Sequence, residues 1–488
     1  MSPSIIQLID GTPLLQKHEL ISQERFSVKP NESELNKAST AKAFLTHFRS
    51  MFGVGIIAMP NLLTDVGIPL GVAAYTILAI TCAYTPRLLL RARSVTVSYI
   101  EQEKENSSHD SHDSRDIMHV SNVFYGNSSH HKMKTYGEIA HTIAGKRVGT
   151  SIRYTVITVY IMLACSLVIC INDTLRDLIR LDDIPYGIYI VAALQIGIFS
   201  ALVQITALQD LFLINAVSLL MYIVGVICCS VYTAAFVDDL RLPDDSFETR
   251  WGGLISFIGS ATFTLENVGM TIPTFESMAE PKNANFVVSS SMLSYAFVSL
   301  TYSSVAYIGG VGGLTINDEC KLATNCIEPE GLKWSVEICL MITLMFSYPL
   351  FLFPAIDMLE VSTAYKRLKK RMSGRENGMV LDNDDSAVSM PRAKNMKIRF
   401  SLVVLSVIIG TIVDDFAYFA AFVGSILMAY AGFVLPSVLY LVAHRKANES
   451  LTWGERSAVI YILVFGSTLT VVGGYMSFVD MVKYGFRV

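Results

Sequence analysis

Few ionisable side chains lie deep in the apolar stretches of this chain, and Glu266 is one of them. It opens the run Glu266-Asn267-Val268-Gly269, which is followed by Pro273. A second run of this kind, Gly53-Val54-Gly55 followed by Pro60, lies in the first apolar stretch. Glycine and proline are the poorest helix residues, so both runs predict a break near mid-membrane. Hydrocarbon cannot solvate the backbone groups that a break exposes, and such helices persist only against protein or a water-filled cavity. An unwound glycine segment offers N–H donors at the positive end of the next half-helix, which suits a carboxylate. An acid beside a break offers a group that can load and release a proton. Close packing of helices through glycine would account for Gly53 and Gly55. It does not account for the carboxyl beside the second break, because an ionisable group in hydrocarbon is costly.

The composition requires a lipid solvent. Of the 488 residues, 52% are hydrophobic and only 16% charged, whereas soluble proteins carry about 25% charge to cover their surface. Apolar runs at 41–64, 67–91, 151–174, 186–206, 211–236, 252–273, 286–311, 335–358, 398–413, 416–441 and 457–482 each approach the roughly 20 residues that cross a bilayer as helix. The runs are too long for membrane strands and do not alternate. The expected fold is therefore all-α and polytopic, with about eleven transmembrane helices. The broken first and sixth spans open two five-span halves, as an inverted repeat requires. No nucleic-acid footprint, hydrolase elbow, zinc-protease helix or phosphate-cradling loop is present in a suitable context. No enzyme, cofactor or metal is expected.

The order of motifs carries a family resemblance. The stretch HFRSMFGVGIIAMPNLLTDVGIPLG resembles the first two spans of the amino acid/auxin permease superfamily, nearest its proton-coupled amino acid transporter branch. FTLENVGMTIPTFESM is similar to the sixth-span motif of that branch, FSYPLFLFPAIDML to its eighth and DFAYFAAFVGSILMAYAGFVLPSVLYL to its tenth. Two departures stand in the sixth span: Asn267 replaces the usual glycine, and Leu265 the usual aromatic. The resemblance covers about Ala41 to Leu441 and implies a LeuT-like, five-plus-five inverted repeat. It also implies one central site and alternating access.

That reading assigns Gly53, Val54 and Gly55 to a substrate carboxylate and the stretch from Phe263 through Glu266 to Asn267 to its amine. Tyr348 either walls the pocket or packs in the core. Glu266 is the expected coupling group. His47 is a weaker one, because it stands one position later than the histidine of animal members. Glu266 could instead stay ionised, hold the break through backbone N–H groups or pair with Arg49. With no charged group placed to read a side chain, a small neutral amino acid is the expected substrate. A proton is the expected coupling ion. A sodium-driven carrier and a nutrient receptor with little flux are the alternatives.

Lysine and arginine placement sets the orientation. With residues 1–40 as a cytosolic disordered tail, the tail and inward loops hold 28 of the 38 Lys and Arg residues. In this scheme 41–482 is the transporter domain, 92–134 and 362–397 are cytosolic loops, and 312–334 faces outward or into a lumen. The basic cluster Lys366–Arg371 then reads as an ordinary positive-inside anchor on the cytosolic face, with binding of anionic lipid head groups as the alternative. His109, His112, His130 and His131 read as part of a solvated loop rather than as a metal site. Asp10, Leu14 and Leu15 form an acidic dileucine pattern, which points to a lysosomal or endosomal membrane over the plasma membrane. Cys320 and Cys326 share the outward loop, where a disulfide is expected, with each other or with a cysteine such as Cys170. The sequons at Asn31, Asn106, Asn127 and Asn448 all fall on the cytosolic side.

Overall fold

The computed structural model describes residues 38–109, 136–179, 183–204, 211–236, 248–308, 330–373 and 395–486. Each of the eleven apolar runs is mainly helical over its described residues, the first and sixth with a break inside, and the described residues contain no strand beyond two isolated bridges. Six helices are long and apolar enough to cross a membrane by themselves, and shorter apolar helices accompany them.

The first span is two helices, α1 (Thr40–Arg49) and α2 (Gly55–Thr64). There follow α3 (Ile68–His109), a short α4 (Tyr136–Ala144), α5 (Lys146–Ile179), α6 (Gly187–Leu202) and α7 (Leu211–Phe236). The sixth span is again two helices, α8 (Leu254–Leu265) and α9 (Thr271–Ser277). Then come α10 (Ala284–Ile308), α11 (Glu330–Ser373) and α12 (Met396–Ile412). The tenth span runs from α13 (Phe416–Val423) through π-helical Gly424–Met428 and Tyr430–Val434 into α14 (Leu435–Lys446). The last joins α15 (Trp453–Thr468) to α16 (Gly474–Tyr484) across a π-helical Leu469–Gly473.

Two helices outrun the sequence expectation. α3 continues to His109, so the first part of the 92–134 segment is helix rather than loop, and α11 continues to Ser373. The residues added to α3 are good helix formers such as Glu101, Gln102, Glu103 and Lys104, and polarity alone does not stop a helix.

Ion pairs separate by end of the bundle as the alternation of spans predicts. At the end assigned to the N-terminus, Arg91 pairs with Glu455 at 2.5 Å and Arg93 pairs with Glu276. There too, Arg399 grips Glu360 through Nε at 2.9 Å and Nη2 at 3.1 Å. At the opposite end Arg176 pairs with Asp414 at 2.8 Å.

The tenth span is the seat of the sixth. Gly424 and Gly259 meet backbone to backbone, so that a β-carbon on either would overlap the other helix. This lets α8 approach the π-helical turns closely, and π-turns of this kind recur at functional sites.

Candidate functional site

Both predicted breaks are present. Between α1 and α2 the chain unwinds over Ser50–Val54, and between α8 and α9 it is extended at Glu266 and irregular at Asn267. The two broken spans are tied at three levels. Ala38 donates to the Ser277 carbonyl at 2.7 Å and accepts from Ala279 at 2.9 Å. Asn267 Nδ2 donates to Ser50 Oγ at 2.7 Å in the middle. Arg250 donates from its backbone to Val66 and from its guanidinium to Thr64, both at 3.1 Å, at the far end.

Around the middle tie lies a small cavity. Its polar wall is the two breaks: Ser50, Gly53, Val54 and Gly55 on one side, and Phe263, Thr264, Glu266 and Asn267 on the other. Leu163, Ser166 and Leu167 of α5, Tyr295 of α10 and Phe351 of α11 close the rest. Gly55 is required there, because a β-carbon would collide with the Thr264 side chain across the site.

The backbone gives this cavity two opposite ends. Among the described residues, the N–H groups of Gly53, Val54, Gly55 and Ile56 find no backbone acceptor. They stand at the N-terminus of α2, the positive end of that helix. The carbonyls of Phe263, Thr264 and Leu265 receive no backbone N–H, and they form the negative end of α8. Of these, Gly53, Val54 and Gly55 on the donor side and Phe263 and Thr264 on the acceptor side line the one cavity from separate helices.

Glu266 lines the cavity, and its Oε1 accepts from the Val268 N–H at 2.7 Å, capping the turn that leads into α9. Tyr136, Tyr160 and Cys82 lie within its electrostatic reach. Among the described residues no cation pairs with it. The possible Arg49 partnership is replaced by another: Arg49 donates to the Phe52 carbonyl, Ser218 and Ser347. The backbone grip is the part of the structural alternative that holds.

Two expected residues stand away from the cavity. Tyr348 is fully buried, donates to or accepts from Ser406 at 2.5 Å and stacks on Phe199 with ring centroids 4.0 Å apart. It is a core residue, and Phe351, three positions on and hence on a neighbouring face of the same helix, takes the wall position. His47 is also buried, its Nδ1 at 2.7 Å from Ser291 Oγ, and Nε2 has no hydrogen-bond partner among the described residues. Ser166, Tyr295 and Phe351 carry no sequence signal that separates them from other span residues. Asp10, Leu14, Leu15, Cys320 and Cys326 lie outside the described residues, and Cys170 is buried as a free thiol.

A family model described as transmembrane amino acid transporter protein matches residues 117–479. The chain belongs to the transmembrane amino acid transporter family. The match begins beyond the first two spans, so the break at Gly53–Gly55 stands on the geometry above. Among relatives, Vacuolar amino acid transporter 3 of Saccharomyces cerevisiae is 26% identical over 443 residues, 88% of this chain and 55% of that protein. Amino acid transporter ANT1 of Arabidopsis thaliana is 24% identical over 363 residues, 71% of this chain and 77% of that protein. This transporter-family chain thus spans about half the length of the yeast relative. A solved structure of MhsT in complex with L-phenylalanine aligns with a TM-score of 0.41 at 12% identity, covering 91% of this chain and 99% of that one.

Proposed function

We propose that the protein carries small neutral amino acids across a membrane by alternating access, as a proton-coupled symporter. One observation carries the reading: a single cavity is lined by Gly53–Gly55 of one broken helix, whose N–H groups find no backbone acceptor among the described residues, and by Phe263 and Thr264 of the other, whose carbonyls find no backbone donor there. A zwitterion is the ligand that satisfies both, its carboxylate on Gly53–Gly55 and its ammonium on Phe263 and Thr264 with Asn267 beside it. Apart from Ser166, the rest of the wall, Leu163, Leu167, Tyr295 and Phe351, is apolar or aromatic and favours a short neutral side chain. Tight coupling follows from the Asn267–Ser50 bond, since substrate entering between the breaks must act on both spans at once.

Glu266 is the proposed proton carrier. It lines the proposed substrate cavity with no cation beside it among the described residues, and an ionised carboxylate unpaired in an apolar setting is costly. Loading a proton together with substrate removes that cost. The membrane is proposed to be vacuolar or lysosomal, on the printed name of the yeast relative and the Asp10–Leu15 pattern, with the N-terminus cytosolic.

The test is uptake by purified protein in proteoliposomes across a panel of amino acids, with and without an imposed pH gradient. Small neutral amino acids should accumulate only with the gradient, and analogues lacking either the amine or the carboxylate should not compete. Inhibition by a simple amine or a simple acid as strong as that by the amino acid would overturn the zwitterion reading.

A further inference from the structure

Arg49 is a buried guanidinium, 5% exposed, at the last position of α1 before the break. Among the described residues no carboxylate is one of its partners. Nη1 donates to the Phe52 carbonyl at 2.9 Å, while Nη2 donates to Ser218 Oγ of α7 at 2.5 Å and to Ser347 Oγ of α11 at 2.8 Å. Both hydroxyls spend their own protons on one carbonyl, that of Thr343, at 3.2 Å and 2.8 Å. Their oxygens therefore turn lone pairs toward Arg49. The next carbonyl of the break, Gly53, is taken by the Tyr222 hydroxyl at 3.2 Å.

The first, fifth and eighth spans thus assemble a set of neutral oxygens that can only accept. Where a sodium ion drives transport it is coordinated by unwound backbone carbonyls of a broken helix, and the Phe52 carbonyl with the two accepting hydroxyls offers neutral oxygens at such a break. Here a side chain of the protein occupies them. We propose that Arg49 is the resident cation of this junction, that it excludes sodium, and that the carrier works without a sodium gradient. A sodium ion among these oxygens would have to share them with a fixed positive charge and break the guanidinium's hydrogen bonds. The proposal rests on the transport reading only in its last clause. Occupation of the junction is testable in purified protein that is not transporting.

The experiment follows thermal unfolding of the purified full chain in sodium chloride against choline chloride, for wild type, Arg49→Lys and Arg49→Ala. Wild type and Arg49→Lys should melt at the same temperature in both salts, because each keeps a cation among the oxygens. Arg49→Ala should melt lower in choline and recover by a few degrees, saturably, as sodium rises and binds the vacated oxygens. Arg49→Gln makes the same comparison if the alanine variant does not fold. Sodium-dependent melting of wild type, or a folded neutral variant indifferent to sodium, would sink the proposal. Parallel uptake by wild type should be unchanged when choline replaces sodium. No uptake in either salt would count against the transport reading and leave the melting result to decide the role of Arg49.

Discussion

Gly432 in the π-helical part of the tenth span lies directly against the carboxyl arm of Glu266. A β-carbon at Gly432 would stand 2.5 Å from Glu266 Cγ and 2.9 Å from both Cδ and Oε1. The group proposed to carry the proton is therefore positioned by a helix 166 residues away in sequence, through the lack of a side chain.

Gly432→Ala should displace the Glu266 carboxyl and lower amino acid accumulation by about 10-fold or more, since misplacing a reacting group by about 1 Å can cost about 100-fold. Gly454→Ala, where a β-carbon meets nothing within 4 Å, should leave uptake unchanged. Equal uptake by the two variants would remove the positioning argument.

Glu266→Gln keeps the shape of the neutral acid and loses the removable proton. It should still bind and exchange substrate while losing accumulation driven by a pH gradient. Glu266→Ala should lose both, because the Val268 N–H is left without its acceptor. Full pH-driven accumulation by the glutamine variant would end the coupling role.

Tyr348 and Phe351 should separate in kinetics. Tyr348→Phe removes the bond to Ser406 and should cost about 1 kcal/mol of stability while leaving the apparent KM unchanged. Phe351→Ala opens the cavity wall and should raise the apparent KM for small substrates. A changed KM for Tyr348→Phe would place its ring back at the site.

Asn172 begins a sequon but is buried, its Nδ2 donating to the Gly410 carbonyl at 3.2 Å and its Oδ1 accepting from Gln195 at 2.9 Å. It should carry no glycan, and glycosidase should leave the mobility of the protein unshifted at this site. Asn172→Ala should lower stability by about 1–3 kcal/mol by leaving both partners unpaired in the bundle.

Asp65, in the turn after α2, has its carboxyl raised above the usual range by burial; Arg250 opposes the shift and Asp415 adds to it. A carboxyl with a raised pKa in the folded state holds a proton in the mildly acidic range where the unfolded chain has released it. Stability should therefore rise as pH falls from neutral through the folded-state pKa. Below the unfolded-state pKa both states are protonated and the gain levels off. Asp65→Asn should flatten that rise in a melting series against pH, and an unaltered slope would show that Asp65 is not its source.

The sequence by itself determined the solvent, the all-helical class and the two breaks. Long apolar runs in a chain with little charge admit no other class, and Gly53-Val54-Gly55 and Glu266–Gly269 mark breaks because backbone propensity is local. Helix ends were less legible, as α3 shows by running to His109 through polar residues that suit helix equally well. Only the tertiary structure decided which side chains share the cavity. Phe351 rather than Tyr348 faces it because the rotation of α11 is set by packing against Phe199 and Ser406. Arg49 turns from Glu266 to Ser218 and Ser347 because those hydroxyls are brought beside it from 169 and 298 residues away in the chain. Such partnerships depend on how spans pack, and no local pattern encodes them.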